Sequence, residues 1–259
     1  MTRRRLPRLL PLAFALLGGL AWADGPSADE VARQMLARDA FGWESGTLRA
    51  RLVLTTADGK RDERAFEGAS KRSPGVVRTV VRFRAPERVA GTAFLLVERD
   101  GGQGEQHVYL PAYHTTRRIA GREREGSFMG SDFTYADLDR RDLRDARYAL
   151  LPDEKVGEAA CFVLETSPKA EGSPYARVVS FLRKADFVPL RVQFFAKDGK
   201  LAKTTSTRRV RMVDGKPVVV ESHTENATTH HVTDLIVDEI EPHADVPDSA
   251  FEPAALERG

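Results

Sequence analysis

The chain holds a single cysteine, Cys161, so it can form no internal disulfide. It also lacks a Gly-x-Ser-x-Gly elbow, a His-Glu-x-x-His pair, a P-loop and a Gly-x-Gly-x-x-Gly turn. Without them the usual serine-hydrolase, zinc-protease, nucleotide and dinucleotide chemistries have no footing, and no cofactor is implied. Cys161 fits no metal-ligand spacing and lies in the strand-like run Ala159–Leu164, which suits a buried structural thiol. One apolar run is prominent, Leu9 to Leu20, and at about a dozen residues it falls short of the roughly 20 that span a bilayer as a helix.

That run has the flanks of an export signal. Arg3, Arg4, Arg5 and Arg8 precede it, and Ala21-Trp22-Ala23 follows as a small-x-small site with cleavage expected before Asp24. The expectation is a signal peptide over 1–23 and a soluble periplasmic domain over 24–259, with no lipidated cysteine at its start. Residues 1–23 hold four Arg and no acid, so the whole-chain net charge of +2 becomes about −2 beyond them. Nucleic-acid binding, which needs a net basic face, loses its support.

The remainder reads as one helix followed by many strands. Ser27-Ala-Asp-Glu30 has the form of a capping box, and Ala28, Val31, Ala32, Met35 and Leu36 recur at helical spacing towards Gly42. From Thr47 the period becomes two, with Leu48, Ala50, Leu52 and Leu54 on one face. Strands are expected at 77–83, 93–97, 107–110, 160–166, 175–182, 190–196, 201–212 and 218–225, with tight turns at Asp58-Gly59, Asp198-Gly199 and Asp214-Gly215. Helical turns are expected at 134–143, and an extended tail after Glu241. The short spacing predicts an antiparallel meander.

Several strands are apolar on both faces, as at Val80-Val81, Phe94-Leu95, Phe162-Val163 and Phe194-Phe195. A sheet with one wet face should alternate cleanly, so both faces need cover. The predicted architecture is α+β and mainly β: a curved antiparallel sheet forming a half-barrel closed by helices. Its interior is either an apolar ligand cavity or a filled core, and periodicity alone favours the filled core.

Other features have plainer readings. His230 and His231 are adjacent, which on a strand sends them to opposite faces, and each reads as a surface histidine. Asp137, Asp139, Asp142 and Asp145 lack the Gly and terminal Glu of a calcium loop and are interleaved with Arg140, Arg141, Arg144 and Arg147, as in a solvated ion-pair face. The segment Gly126-Ser-Phe-Met-Gly-Ser-Asp-Phe-Thr-Tyr135 is unusual in placing aromatics and Met between glycines outside any period, as in a lid or a loop tucked into the core.

With Tyr109-Leu110-Pro111-Ala112, Arg117-Arg118-Ile119, Ser127 to Phe133, Asp137-Leu138, Tyr175 to Phe181, Phe195 to Lys203, Val246-Pro247 and Phe251, the chain resembles the LolA-like outer-membrane lipoprotein-sorting family. The resemblance implies a helix-closed half-barrel that carries acyl chains of lipoproteins or other lipids, with transient membrane contact and, in this branch, an RND/MMPL-type exporter as possible partner. It implies no catalysis. A lipid- or envelope-stress-sensing regulatory module of the same fold is the alternative. The candidate cavity residues are Phe83, Leu95, Phe128, Met129, Phe133, Tyr135, Phe162, Phe181 and Phe194. Arg117, Arg118, Arg122 and Arg124 are candidates for headgroup or partner contact, against a solvated hairpin.

Overall fold

The computed structural model describes residues 25–38, 45–100, 104–138, 141–169 and 173–258. The expected signal peptide and the helix stop at Gly42 lie outside them.

Helix α1 spans Ala28–Ala37. The Ser27 hydroxyl accepts from the Glu30 amide at 3.2 Å, which satisfies one of the orphan donors of the first turn. The Glu30 carboxylate turns forward to Arg33 and Gln34. A four-residue helix, α2, spans Arg141–Arg144. The strands are β1 Gly46–Thr55, β2 Arg61–Ser73, β3 Val76–Ala85, β4 Ala93–Arg99, β5 Glu105–Leu110, β6 Thr115–Ile119 and β7 Ala146–Val156. They continue with β8 Ala159–Pro168, β9 Tyr175–Arg183, β10 Pro189–Ala196, β11 Leu201–Val213, β12 Lys216–Asn226 and β13 Val232–Pro242.

All thirteen form one antiparallel sheet in the order β6-β5-β4-β3-β2-β1-β13-β12-β11-β10-β9-β8-β7. The meander is interrupted once, where β13 returns to pair with β1. The sheet is open, with β6 and β7 as its edges. The three expected tight turns join β1–β2, β10–β11 and β11–β12. Four strands had no counterpart in the sequence expectation: β2, β6, β7 and β13. Their runs are rich in charge, as in Arg61-Asp-Glu-Arg64 and Asp153-Glu-Lys155, which blurs the alternation that marks a half-buried strand.

Register connects the strands into two faces. Leu48, Ala50, Leu52 and Leu54 of β1 share a face with Phe66 of β2, Val81 and Phe83 of β3, Phe94 and Leu96 of β4, Val218 and Val220 of β12 and Val237 of β13. Followed through β12–β8, the same face carries Thr205 and Thr224, Val192, Ser180 and Leu164. This inner face receives both α1 and the segment 121–138. Val31 and Ala32 of α1 pack on Leu164, Leu182 and Phe162 over β8–β9. Phe128, Met129, Phe133, Tyr135 and Leu138 pack on the β1–β4 and β13 side.

The expected closure by helices therefore needs correction. One ten-residue helix covers the β7–β9 side, and an irregular segment covers the other. A helix could not reach both, since ten residues extend only about 15 Å.

The opposite, outer face is also apolar in part. Ala93, Leu95 and Val97 lie beneath Phe251 and Leu256. Those two residues belong to 3-10 turns at Asp248–Phe251 and Pro253–Glu257, so the tail is wound, not extended. Arg82 holds it by donating to the carbonyls of Ala255, Leu256 and Arg258. Cys161 is buried, and desolvation raises its thiol pKa, as befits a structural thiol.

Candidate lipid-binding interior

The distinctive segment forms a miniature hairpin on the inner face. Ser127 and Thr134 make an antiparallel bridge, the Phe128 amide donates to the Phe133 carbonyl at 2.7 Å, and the Tyr135 amide to the Gly126 carbonyl at 3.1 Å. The chain reverses at Met129-Gly130, both left-handed with φ of 52° and 70°. Such turns favour Asn or Gly, so Met129 holds an unfavourable backbone for a long side chain. Gly130 takes the same left-handed backbone at no steric cost, with the Arg64 guanidinium beside it.

Beneath the hairpin lies an aromatic cluster. The Phe128 ring sits 5.3 Å from Phe94, 5.8 Å from Phe83 and 5.7 Å from Tyr135, and Phe83 sits 5.5 Å from Phe66. The Phe94 contact and the Tyr135 contact are edge-on, the geometry that ring quadrupoles favour. Burial pushes the Tyr135 hydroxyl pKa up.

The acids of the segment form a second, polar layer. Asp132 accepts from the Thr233 hydroxyl of β13 at 2.7 Å and lies 2.6 Å from His231 Nδ1. Its amide donates to Thr233 Oγ1 at 2.9 Å, and its carbonyl accepts from Lys203 Nζ of β11 at 2.7 Å. Lys203 also pairs with Asp137, which accepts from the Tyr175 hydroxyl at 2.8 Å and the Thr134 amide at 2.6 Å. The Lys203 and Asp137 side chains are only 5% and 7% exposed, so each charge depends on the other. The Lys203 ammonium further faces the Phe194 and Tyr175 rings, at 4.9 and 5.5 Å from their centroids.

The candidate residues divide accordingly. Phe83, Phe128, Met129, Phe133 and Tyr135 come together in one inner cluster. Phe194 stands beside it with Tyr175 and Lys203. Phe162 lies on the same face farther along, with Phe187 under α1. Leu95 and Phe181 are on the outer face: Leu95 under the wound tail, Phe181 beside Cys161 and Val163 with Arg191 over its ring. Of the arginines, Arg117 pairs with Glu123, Arg118 and Arg122 are exposed, and Arg124 is buried.

Sequence reasoning missed Lys203, Tyr175, Thr233 and His231. His231 is not the surface histidine expected, because the hairpin brings Asp132 onto it. Asp137 likewise belongs to this buried network and not to a solvated acidic face; Asp139 and Arg140 lie outside the described residues. A detectable signal was Lys203, an inward-phase charge on a strand whose next inward residues are Thr205 and Thr207.

Comparison with solved structures gives this geometry a family. A domain of Vibrio parahaemolyticus assigned to outer membrane lipoprotein sorting superposes with a TM-score of 0.82 at 30% identity, covering 88% of this chain and 97% of that one. The chain belongs to the LolA-like outer-membrane lipoprotein-sorting family. A DUF1329 family protein from Desulfovibrio piger superposes at 0.81 with 27% identity, over 87% of this chain and 96% of that one. A LolA superfamily protein from Nitrosomonas europaea shares the fold at 0.70 and 19% identity, over 88% and 98%. A family profile described as an uncharacterized protein matches residues 75–258. No curated protein matches the chain. No helix among the described residues is long and apolar enough to cross a membrane.

Proposed function

We propose that the protein is a periplasmic carrier that holds acyl chains of lipoproteins or other lipids against the inner face of its sheet and delivers them towards the outer membrane. One observation carries the reading. The apolar floor of β1–β4 and β13 is covered by a hairpin whose described hydrogen bonds to the sheet all use sheet side chains: Gln106, Tyr175, Lys203, His231 and Thr233. Such a cover lifts without breaking a backbone ladder and leaves a continuous trough for an acyl chain.

Thermodynamics suits the role. An acyl chain of about 16 carbons gains on the order of 12 kcal/mol on leaving water, at roughly 0.8 kcal/mol per methylene. A membrane offers nearly the same, so the trough needs only to match it. Displacing Phe128 and Met129 from the floor offsets part of the gain and tunes the match. Direction must come from donor and acceptor partners. An inner-membrane exporter of the RND/MMPL type as donor rests on the resemblance alone.

Native mass spectrometry of protein purified from the periplasm should show co-purified acyl lipid, and the protein should accelerate lipid transfer between donor and acceptor vesicles. Transfer no faster than without protein would sink the carrier reading. Met129→Asp should weaken retention with little loss of thermal stability, because Met129 is only partly buried.

A further inference from the structure

At one end of the sheet, the β1–β2 turn, the start of β2 and the tip of the inner hairpin surround a cavity of about 540 Å³. Its wall carries Lys60, Arg61, Arg64 and Arg88 against one acid, Asp62. Asp62 is shared: Arg64 donates to it at 2.9 Å and Arg88 pairs with it from the other side. The Arg88 hydrogen bond is the largest of the effects that lower its pKa, so it stays an anion. It neutralises one of the two guanidiniums. Lys60 and Arg61 are exposed and make no ion pair among the described residues. The wall therefore keeps a surplus of three positive charges, Lys60, Arg61, Arg64 and Arg88 against Asp62.

Two further observations make this a mouth and not a surface patch. Leu54, 4% exposed and part of the inner apolar cluster, lines the same cavity, so the cationic wall opens onto the apolar floor. Gly130 lines it too, with the Arg64 guanidinium beside it, so the hairpin tip forms part of the rim. An arginine engaged with one carboxylate still has free N–H donors in its planar fork, the arrangement that suits tetrahedral oxyanions.

We propose that this cavity binds a phosphate group: the headgroup phosphate of an amphipathic lipid whose chains run from Leu54 along the inner face. The proposal rests on the carrier reading for its chains, but not for its phosphate. It predicts that the protein prefers phosphatidate to a diacylglycerol of the same chain length, and that the preference weakens with salt, as charge contacts at an exposed mouth do.

The test uses the protein, a short-chain phosphatidate, the matching diacylglycerol, inorganic phosphate and the neutral dye Nile red. Wild type should bind phosphatidate at least tenfold more tightly than the diacylglycerol. The exposed double variant K60E/R61E should abolish that preference while Nile red binding stays unchanged, and K60Q/R61Q should lie between the two. Nuclear magnetic resonance should show the Gly130 and His231 amides shifting with phosphatidate. The same shifts with millimolar inorganic phosphate would support the site and show that free phosphate suffices. Equal affinity for the two lipids, with Nile red still bound, would overturn the phosphate site and leave the carrier reading standing. Loss of Nile red and diacylglycerol binding with phosphate shifts retained would support the site and remove the carrier reading. No amide shift with either phosphate probe would overturn the proposal.

Discussion

The inner face of the sheet has two covers, and they attach by different physics. Over β8–β9, α1 lays Val31 and Ala32, both at most 1% exposed, onto Leu164 and Leu182. Its helical backbone bonds are internal, and it docks mainly by apolar contact, with Arg38 at its C-terminal cap donating to the Asp186 and Pro217 carbonyls. Over β1–β4 and β13, the hairpin docks by an aromatic cluster and then by a buried ionic layer, Lys203–Asp137–Tyr175 and Asp132–His231–Thr233. Between the two covers the inner face carries hydroxyls, with Thr205 and Thr224 bonded to each other at 2.9 Å. The helix cover resembles an ordinary piece of core. The hairpin cover is directional: hydrogen bonds and an ion pair define one closed position, and loss of that geometry leaves charges with no partner. A cover of this kind has a closed state that is specific without being a sheet ladder.

The largest way to break the comparison is Lys203→Met. It strands the Asp137 carboxylate and should cost about 3–5 kcal/mol in urea unfolding. Adding Asp137→Asn should recover part of the loss, and a double-mutant cycle measures the coupling. Additive effects would mean that the pair does not hold the hairpin.

Deleting a side chain under each cover sharpens the contrast. Phe128→Ala should cost about 3–5 kcal/mol, and Val31→Ala about 2 kcal/mol, from the atoms removed and the cavity left. Hydrogen exchange should localise the damage, with faster exchange in β1–β4 for the first and in β8–β9 for the second. Identical exchange maps would show that the covers act as one core.

The smallest effect is electrostatic and lies at the mouth. Asp62 has its pKa held below the usual carboxylate range by Arg88 and Arg64. Its contribution is present above the unfolded value of about 3.9 and is lost as pH falls through the lower folded value. Thermal melts from about pH 5 down to pH 3 should therefore show a slightly smaller fall in Tm for Asp62→Asn than for the wild type, since other carboxylates titrate in both.

Much of the scaffold was legible along the chain. Ser27 and the helical spacing after it marked α1, and three Asp-Gly pairs marked three of the hairpin turns. The alternation in Leu48, Ala50, Leu52 and Leu54 marked a buried face. The charged strands β2 and β7 were not legible, because charges fall on both faces of β2, while a bulge between Leu151 and Glu154 and the run Asp153-Glu-Lys155 break the period of β7. The apolar candidates were readable as buried but not as neighbours. Leu95 and Phe83 are equally buried, yet they lie on opposite faces of the sheet.

The sequence by itself determined the mainly antiparallel plan, the need to cover both faces, and the Phe-Met-Gly-Ser-Asp-Phe block as the unusual element. Local periodicity and turn chemistry act over a few residues, so the chain displays them directly. Only the tertiary structure decided what that block touches. Asp132 meets Thr233 and His231, and Asp137 meets Lys203 and Tyr175, across separations from 38 to 101 residues. Strand register, a property of paired chains and not of either alone, sets which side chains share a face. For the same reason Lys60, Arg61, Arg64 and Arg88 read as scattered surface charge until the fold gathered them at one mouth.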